Sequence, residues 1–414
     1  MVDLSPVQLV AGAPARSETQ EVGAEERSTM RIVGLDLGVK CISFCEVRDD
    51  VVIARRTVRS VEELDDVLGP DAPPARVAVE ACREAWSVHD RLRNAGHEPV
   101  LVDTTRVKQI GIGAHGRKTD RIDAEVLARA LEANRIPRAH VLSPARREVR
   151  LQLAVRRALV ETRTQYVTTV RGLVRAAGNK LGGCATENFV ARFRKAQFDE
   201  ALADQCQPLL LVLTTLEEQL ALVDDKLQQL AAREPISHLL MTAPGVGLVT
   251  SLMFMSVLDE AKRFRRAHQV ESYLGLVPSE DSTGGNRRLG AISKCGNAYL
   301  RSLLVQAALS ILLRAHPDDP LRVWGLAIAE RRGKRIAIVA VARRLAGVLW
   351  SMWRTGTFYD PKLLGRLSAE ALQQQAHQTQ KRAIAMKRAS AKVARHVHRS
   401  HPQPAPGDTM PDTP

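Results

Sequence analysis

The sequence predicts a mixed α/β unit followed by a mostly α-helical region. Short apolar segments separated by glycine and proline dominate the first part of the chain, a pattern typical of strands. Leucine and valine recur every three or four residues through much of the remainder, which is typical of helices that bury one face. With 414 residues and 45% apolar content, the chain can bury more than one core.

The α/β unit is predicted to follow a disordered leader, residues 1–29, which is rich in Pro, Ser, Glu and Gly. Strands are predicted at residues 31–38, 41–47, 51–58, 76–80 and 99–103. Helices are predicted at residues 86–95 and 118–131. Strands and helices in this order predict a mixed α/β layer over residues 30–145.

The rest of the chain is predicted to be helical. A long helical hairpin or coiled coil is expected over residues 146–236, ending near Pro235. A second, mainly helical domain is expected over residues 237–355. It begins with a turn like that of a helix-hairpin-helix, in which Gly245 and Gly247 let backbone N–H groups approach a phosphate. Residues 356–414 are predicted to be a basic, partly disordered tail.

Composition limits the partners and the compartment. A net charge of +14 suits a polyanion such as nucleic acid, although a charged surface also serves solubility alone. The six cysteines have neither a CxxC pair nor zinc-ligand spacing, which favours a reducing cytoplasm. No secretory signal is recognisable, and charges interrupt every apolar run before the length of a membrane span, so we expect no transmembrane helix.

Four carboxylates form the first candidate site. Asp36 and Glu80 each stand at the end of an apolar strand, where an uncompensated buried carboxylate would be costly. Asp120 and Asp123 are three residues apart and therefore share one face of a predicted helix. Such hard oxygen ligands suit Mg²⁺, with Mn²⁺ as a substitute, in phosphodiester cleavage. The alternative for Asp120 is a helix cap or first-turn charge.

The second candidate site is a loop within residues 273–301 that is dense in hydroxyl groups, glycines and cations. Such a loop can expose a hydroxyl nucleophile, and Arg287, Arg288 and Lys294 are candidates to hold the scissile phosphate. The alternative is a glycine turn whose Ser and Thr residues cap the next helix, which is the commoner use of these residues.

Three motifs carry a family resemblance: Gly-Leu-Asp-Leu-Gly at residues 34–38, Val-Ala-Val-Glu at 77–80 and Lys-Thr-Asp-Arg-Ile-Asp-Ala at 118–124. Their order and spacing resemble the three blocks of the DEDD transposases of bacterial insertion sequences, the insertion-sequence one-ten family. The resemblance implies a RuvC-like ribonuclease H fold for residues 30–145. It also implies that the metal ligands are Asp36, Glu80, Asp120 and Asp123.

The later loop resembles the C-terminal transposase domain of the same family, which carries a catalytic serine before glycine. Here the order Ser282-Thr283-Gly284 places threonine directly before the glycine. We predict Ser282 as the nucleophile because a secondary hydroxyl is more hindered, with Thr283 as the alternative. Ser279 and Ser293 are less favoured.

The resemblance further implies a recombinase in which the metal site and the serine act together on donor and target DNA. It implies a homodimer or homotetramer assembled through the long helices of residues 146–233, and guidance by a structured non-coding bridge RNA. The expected location is the bacterial cytoplasm, in association with the nucleoid.

Three other functions remain open at the level of sequence. A RuvC-like junction-resolving nuclease would use water as its nucleophile and the C-terminal domain only for DNA binding. An actin-like ATPase or sugar kinase would share the Gly-Leu-Asp-Leu-Gly segment, but a second phosphate loop is not recognisable. A basic nucleic-acid scaffold would bind without metal-dependent cleavage.

Overall fold

The computed structural model describes residues 30–82, 84–103, 120–280 and 288–362, and it leaves out the side chains of residues 120–122 and 289. These residues form two compact units, of which the first ends at Val141 and the second begins at Leu142. Each unit has cores of its own. The predicted leader and nearly all of the predicted tail lie outside the described residues.

The first unit is built on a five-stranded mixed sheet in the order β3-β2-β1-β4-β5. The strands are β1 (Arg31–Leu37), β2 (Ile42–Arg48), β3 (Val51–Val58), β4 (Ala75–Glu80) and β5 (Glu98–Val102). The first three strands form an antiparallel meander, whereas β4 is parallel to β1 and β5 is parallel to β4. The sheet therefore has β3 and β5 at its edges, with β1 at its centre.

Helices cover both faces of this sheet. They are α1 (Asp65–Leu68), α2 (Ala85–Asn94) and α3 (Asp120–Glu132). Alternate residues of β1 point to opposite faces: Val33 belongs to the core formed with α1 and α2, and Ile32 belongs to a core formed with α3. The predicted mixed α/β fold is therefore confirmed for this unit.

Gly34 determines how closely α3 approaches the sheet. A Cβ atom at this position would lie 2.0 Å from the carbonyl oxygen of Ala124 and 2.6 Å from the amide nitrogen of Ala128. Both atoms belong to the backbone of α3, so the helix cannot yield by moving a side chain. Glycine at position 34 thus allows α3 to lie directly on β1.

The second unit begins with a helical hairpin. Two helices of 33 residues each, α4 (Pro144–Ala176) and α6 (Glu200–Ala232), pack against each other, with the short helix α5 (Phe189–Lys195) between them in sequence. The buried residues of α6 recur at steps of three or four, as the sequence predicts: Leu202, Cys206, Leu210, Leu213, Leu216, Leu220, Val223, Leu227 and Ala231. The helical hairpin is confirmed, and its supercoiling stays a prediction.

The remainder of the second unit packs around α8, whose residues are nearly all buried. Its elements are α7 (Pro235–Met241), α8 (Leu248–Leu258), α9 (Ala267–Tyr273), β6 (Pro278–Glu280), β7 (Leu289–Ile292), α10 (Ala298–Arg314), α11 (Pro320–Arg332) and α12 (Lys334–Thr355). One large core includes Val149 and Leu227, which lie at the end of the hairpin opposite α5, together with apolar residues of α8, α10 and α12.

Two helices, α6 and α12, are long and apolar enough to cross a membrane by length and composition alone. Packing within the protein accounts for α12 and for one face of α6. Leu345 and Leu349 of α12 are fully buried in the large core, and the buried stripe of α6 packs against α4.

Candidate catalytic centre

Asp36 and Glu80 lie next to each other on adjacent parallel strands. Leu35 of β1 pairs with Val79 of β4, and the two carboxylates are the next residue of each strand. Neighbouring strands are about 4.8 Å apart. Because both residues hold the same place in the register, their side chains leave the same face of the sheet, and both are half-buried. The structure therefore brings these two predicted site residues together.

The face on which they lie is the one covered by α3. Side chains two residues apart in a strand share a face, so Asp36 is on the side of Gly34, where the Ala124 carbonyl makes its close approach. Leu127, one turn further along α3, shares a core with Ile32 near the start of β1. Helix α3 thus runs antiparallel to β1, and its first turn lies towards the carboxyl end of that strand.

Asp123 lies in this first part of α3 and is 2% exposed, whereas Asp36 and Glu80 are partly accessible. An ionised carboxylate at such a depth is costly unless a cation or hydrogen bonds compensate it. Asp120 begins α3, but its side chain lies outside the described part of the structure. Among the described side chains, no group of three His, Cys, Asp or Glu residues is close enough to hold a metal ion.

The donor set at this end of the sheet consists of oxygen ligands. Cys45 of β2 lies opposite Gly34 and is also on the α3 side. Burial raises the pKa of its thiol above the usual range, so the group stays neutral and is a poor metal ligand. Carboxylates of this kind fit a hard divalent cation such as Mg²⁺.

The second candidate site is carried by a two-stranded hairpin. β6 and β7 pair antiparallel, with Glu280 opposite Leu289. Residues 281–287, which include Ser282, Thr283 and Arg287, connect these strands and lie outside the described residues. Arg288 directly follows this segment and is exposed.

The two alternative serines lie on the hairpin itself. The exposed Ser279 hydroxyl donates a hydrogen bond to the Ala291 carbonyl at 3.1 Å, a contact between the two strands. The amide of Ser293 donates to the Val277 carbonyl at 2.8 Å, which extends the pairing beyond β7. Both residues thus contribute to the hairpin's own structure.

Lys294 follows β7 and has a backbone conformation that side chains rarely adopt. Its φ is +56°, in the left-handed region, and its side chain is exposed. Strain of this type costs about 1 kcal/mol or more and needs support from its surroundings. Two glycines supply close backbone packing here: a Cβ at Gly275 would lie 2.1 Å from the Cys295 carbonyl oxygen, and one at Gly296 would lie 2.2 Å from that of Tyr273.

Arg301 also supports the backbone conformation of Lys294, and it is a functional residue that the sequence did not indicate. Its guanidinium donates to the carbonyls of Cys295 at 2.8 Å, Gly296 at 3.0 Å and Leu274 at 3.3 Å. One side chain therefore joins Leu274, before β6, to the two residues that directly follow Lys294. The sequence gives little signal for this role, because an arginine in the first turns of a helix is common and usually solvated.

The predicted helix-hairpin-helix turn lies between α7 and α8. Gly245 has φ +74°, and a Cβ there would lie 2.6 Å from the Ala307 carbonyl oxygen of α10. Close packing against α10 is therefore sufficient to explain why glycine occupies position 245. Gly247 precedes α8, is exposed, and has no atom within 4 Å of a Cβ built there, so its surroundings leave room for a ligand.

A central five-stranded sheet in this order, with acidic residues at the carboxyl ends of adjacent strands and on the helix above them, is consistent with a protein of the DEDD nuclease-like class. Comparison with protein families agrees. A model of the DEDD transposases of IS110 type, described as "Transposase", matches residues 33–178. A second, described as "Transposase IS116/IS110/IS902 family", matches residues 237–322.

Individual relatives give the same result. The chain is 30% identical to a "Probable family 20 transposase" of Pseudomonas aeruginosa, over 80% of this chain and 98% of that protein. It is 26% identical to the "Transposase for insertion sequence element IS1111A" of Coxiella burnetii, over 78% of this chain and 89% of that protein.

The chain belongs to the IS110/IS116 family of DEDD transposases. It is accordingly an enzyme that cuts and rejoins DNA, and enzymes of the DEDD class typically use divalent metal ions.

Proposed function

We propose that the first unit is a RuvC-like catalytic domain whose metal ligands are Asp36, Glu80, Asp120 and Asp123. The observation that carries this proposal is the position of a buried Asp123 on the same face of the sheet as the adjacent pair Asp36 and Glu80. Mg²⁺, with Mn²⁺ as a substitute, would neutralise charge on the phosphate and on the attacking and leaving oxygens.

We further propose that the second unit supplies the nucleophile. The Ser282 hydroxyl attacks the phosphorus of the scissile phosphodiester, the bond from phosphorus to the leaving sugar oxygen breaks, and that oxygen takes up a proton. The resulting phosphoserine keeps a phosphoester bond, so a hydroxyl of another DNA end can attack it and release the serine. Thr283 is the alternative nucleophile in the same segment.

Cations and backbone amides would bind the DNA around this step. Arg287, Arg288 and Lys294 flank or belong to the same loop and hold the phosphate in this proposal. The amides following Gly247 contact a second phosphate as in a helix-hairpin-helix, for which the open space at this glycine is the support. Gly245 contributes the turn itself.

The remaining proposals rest on the family resemblance. A structured bridge RNA pairs with donor and target DNA, and the protein assembles as a homodimer or homotetramer through a coiled coil formed by residues 146–236. Exposed apolar residues on both long helices support assembly there: Leu151, Val155, Leu211, Val212 and Leu222. Residues 237–355 form the transposase domain. We place the enzyme in the bacterial cytoplasm, at the nucleoid.

The nucleophile is tested by trapping the covalent intermediate. Wild-type protein with Mg²⁺ and donor DNA is denatured and examined for a protein–DNA adduct. We expect the Ser282→Ala and Thr283→Ala double variant to form no adduct, while Ser279→Ala still forms it. Full cleavage by the double variant would support the rival nuclease that uses water.

The metal site is tested by Asp36→Asn, which is expected to abolish cleavage. DNA binding by the wild-type protein without any metal-dependent cleavage would support the alternative of a nucleic-acid scaffold.

Guidance by RNA is tested separately. RNA that copurifies with the protein is sequenced after expression together with the flanking non-coding DNA. A single structured transcript from that DNA is expected, and a random sample of cellular RNA would contradict guidance.

A further inference from the structure

The helical hairpin of the second unit ends in a small folded tip, residues 171–198, which we call the hairpin tip. The aromatic rings of Phe189 and Phe193 are buried in a core with Val170 and Val174, at the end of α4. Leu181 joins the same core from the connection that follows α4. The hairpin tip therefore has a defined shape and displays its polar residues outward.

Charge is segregated along the hairpin. The tip contains one carboxylate, Glu187, and six cations: Arg171, Arg175, Lys180, Arg192, Arg194 and Lys195. Arg171 has a structural role, because it donates to the Leu181 carbonyl at 3.1 Å and lies over the Phe189 ring. The other five are exposed, and within the described residues none of them is paired with a carboxylate.

Elsewhere in the hairpin, four arginines of α4 form ion pairs with carboxylates: Arg146, Arg156, Arg157 and Arg163. Arg163 contacts Glu217 at 3.1 Å, and Arg156 contacts Asp224 at 2.5 Å, both between α4 and α6. Even Glu187 of the tip lies 3.7 Å from Arg163 rather than beside a tip cation. Positive charge that served only solubility would not need to be concentrated, without ion pairs, at the hairpin tip while arginines elsewhere in the hairpin are paired with carboxylates.

The cations of α5 are displayed together. Phe189 and Phe193 are one helical turn apart and face the core, which leaves Arg192, Arg194 and Lys195 on the exposed part of the helix. The Arg192 guanidinium lies along the connection at Gly182, two residues from Lys180. These four cations line one end of the hairpin and, within the described residues, form no ion pair. The next carboxylates along the chain, Asp199 and Glu200, begin α6, where Asp199 accepts a hydrogen bond from the Leu202 amide as the helix cap.

We propose that the hairpin tip binds the phosphate backbone of duplex DNA, away from the reacting phosphate and without reading its sequence. The partner is DNA because the family acts on DNA, and because long cationic side chains without an accompanying base-stacking aromatic suit phosphates rather than exposed bases. The buried rings of Phe189 and Phe193 are unavailable for stacking.

The length of the hairpin determines how far the tip contact on DNA lies from Gly247. A helix of 33 residues spans about 50 Å at 1.5 Å per residue, which corresponds to about 15 base pairs of DNA. The α7–α8 turn packs at the opposite end of the hairpin. The hairpin tip would thus hold DNA about 15 base pairs from the phosphate at Gly247, and this distance, unlike the contact itself, rests on the proposed function.

The test is the salt dependence of DNA binding by the full chain. Affinity for a duplex of about 40 base pairs is measured over a range of salt concentrations for wild type and for R192Q/R194Q/K195Q. Loss of three phosphate contacts should reduce the slope of log affinity against log salt by about 3. The charge-preserving control R192K/R194K/K195R should retain the wild-type slope, and unchanged melting temperatures show that both variants fold.

An unchanged slope for the glutamine variant would overturn the proposal, as would a loss confined to an RNA hairpin tested in parallel, since the tip would then bind RNA. Protection of DNA from hydroxyl radicals tests the reach: the variant should lose the outermost protected segment only. Failure of Ser282 to form an adduct, in contrast, would contradict the proposed function and leave the slope unaffected.

Discussion

A buried carboxylate marks the candidate metal site at the scale of single residues. Asp123 is 2% exposed and lies on the face that carries Asp36 and Glu80, and the proposed function gathers these like charges at one metal site. We expect Asp123→Asn to abolish DNA cleavage and, in a chelator, to raise the melting temperature, because it removes one of the repelling charges. Calorimetry and a cleavage assay on the same preparation measure both effects.

The control for this prediction is Asp66→Asn, which removes an exposed carboxylate of α1 on the opposite face of the sheet. Asp66→Asn should change neither DNA cleavage nor the melting temperature appreciably. A lower melting temperature for Asp123→Asn in chelator would show instead that the carboxylate stabilises the metal-free fold.

Arg301 is predicted to act on the reaction through the position of Lys294. Arg301→Lys keeps the charge, but its ammonium lies one bond nearer the backbone than Nη1, the single guanidinium nitrogen that donates to all three carbonyls, so Lys294 loses its support. We expect a strand-cleavage rate reduced about 10-fold or more, equivalent to about 1.4 kcal/mol, at unchanged melting temperature.

The matched control is Arg354→Lys, since Arg354 also donates to a backbone carbonyl, that of Phe264 at 2.7 Å, and within the described residues forms no hydrogen bond with Lys294 or its two neighbours. It should retain the wild-type rate. If Arg301 acts through Lys294, then Arg301→Lys in a Lys294→Ala background should cause little further loss. Additive losses would contradict a positioning role.

The sequence identified some of these residues as functional candidates and not others, for a physical reason. A carboxylate that ends an apolar strand is anomalous in the sequence itself, which is why Asp36 and Glu80 stood out. Arg301 is ordinary in its local sequence, and its role depends on carbonyls 5 to 27 residues away. Contacts of that range are set by the tertiary fold, so no local pattern reveals them.

The crossing of α3 over β1 is the critical contact at the scale of elements, because it positions Asp123 over the strand that carries Asp36. Gly34→Ala would force a methyl group against the Ala124 carbonyl. We expect the variant to lose about 1–3 kcal/mol of unfolding free energy, which is typical of overpacking. Cleavage should fall as well, although Gly34 has no chemical role.

Gly172→Ala is the matched control. This glycine lies within α4 and has nothing within 4 Å of an added Cβ. The same substitution should therefore stabilise the protein by about 0.5–1 kcal/mol. Chemical denaturation measures both changes, and equal effects of the two substitutions would contradict the assigned crossing.

Prediction succeeded best for elements with a long or clear pattern. The segment expected to be helical at residues 118–131 is α3, Asp120–Glu132, and the expected helical hairpin is α4 with α6. The helical character of α5 was part of that expectation, but its separation from α4 and α6 was not predicted, because seven residues contain too few turns to show a period of their own. The pairing of β4 with β1 could not be predicted from a local sequence pattern either, because parallel pairing joins residues about 44 positions apart, such as Leu35 and Val79.

Separate cores have a consequence at the scale of the whole molecule. If the proposed metal site is correct, Mg²⁺ binds only the folded first unit, and saturation about 100-fold above the dissociation constant adds about 2.7 kcal/mol to that unit alone. Hydrogen exchange should slow in β1, β4 and α3 on addition of Mg²⁺, while exchange in α8 and α12 stays unchanged. Slowing throughout both units, or its persistence in Asp36→Asn, would contradict a site confined to the first unit.

The edge position of β3 bears on how this enzyme can be handled in solution. Val51 and Ile53 are 60% and 54% exposed on this outer strand. An apolar outer strand is a template on which another chain can add a strand, and positive charge is a common protection against such aggregation. Arg55 and Arg56 follow on the same strand and are exposed, but Arg55 pairs with Glu125 of α3. Neutralising Arg56 should therefore increase aggregation, measured as a loss of protein from solution, and expression trials should leave this residue intact.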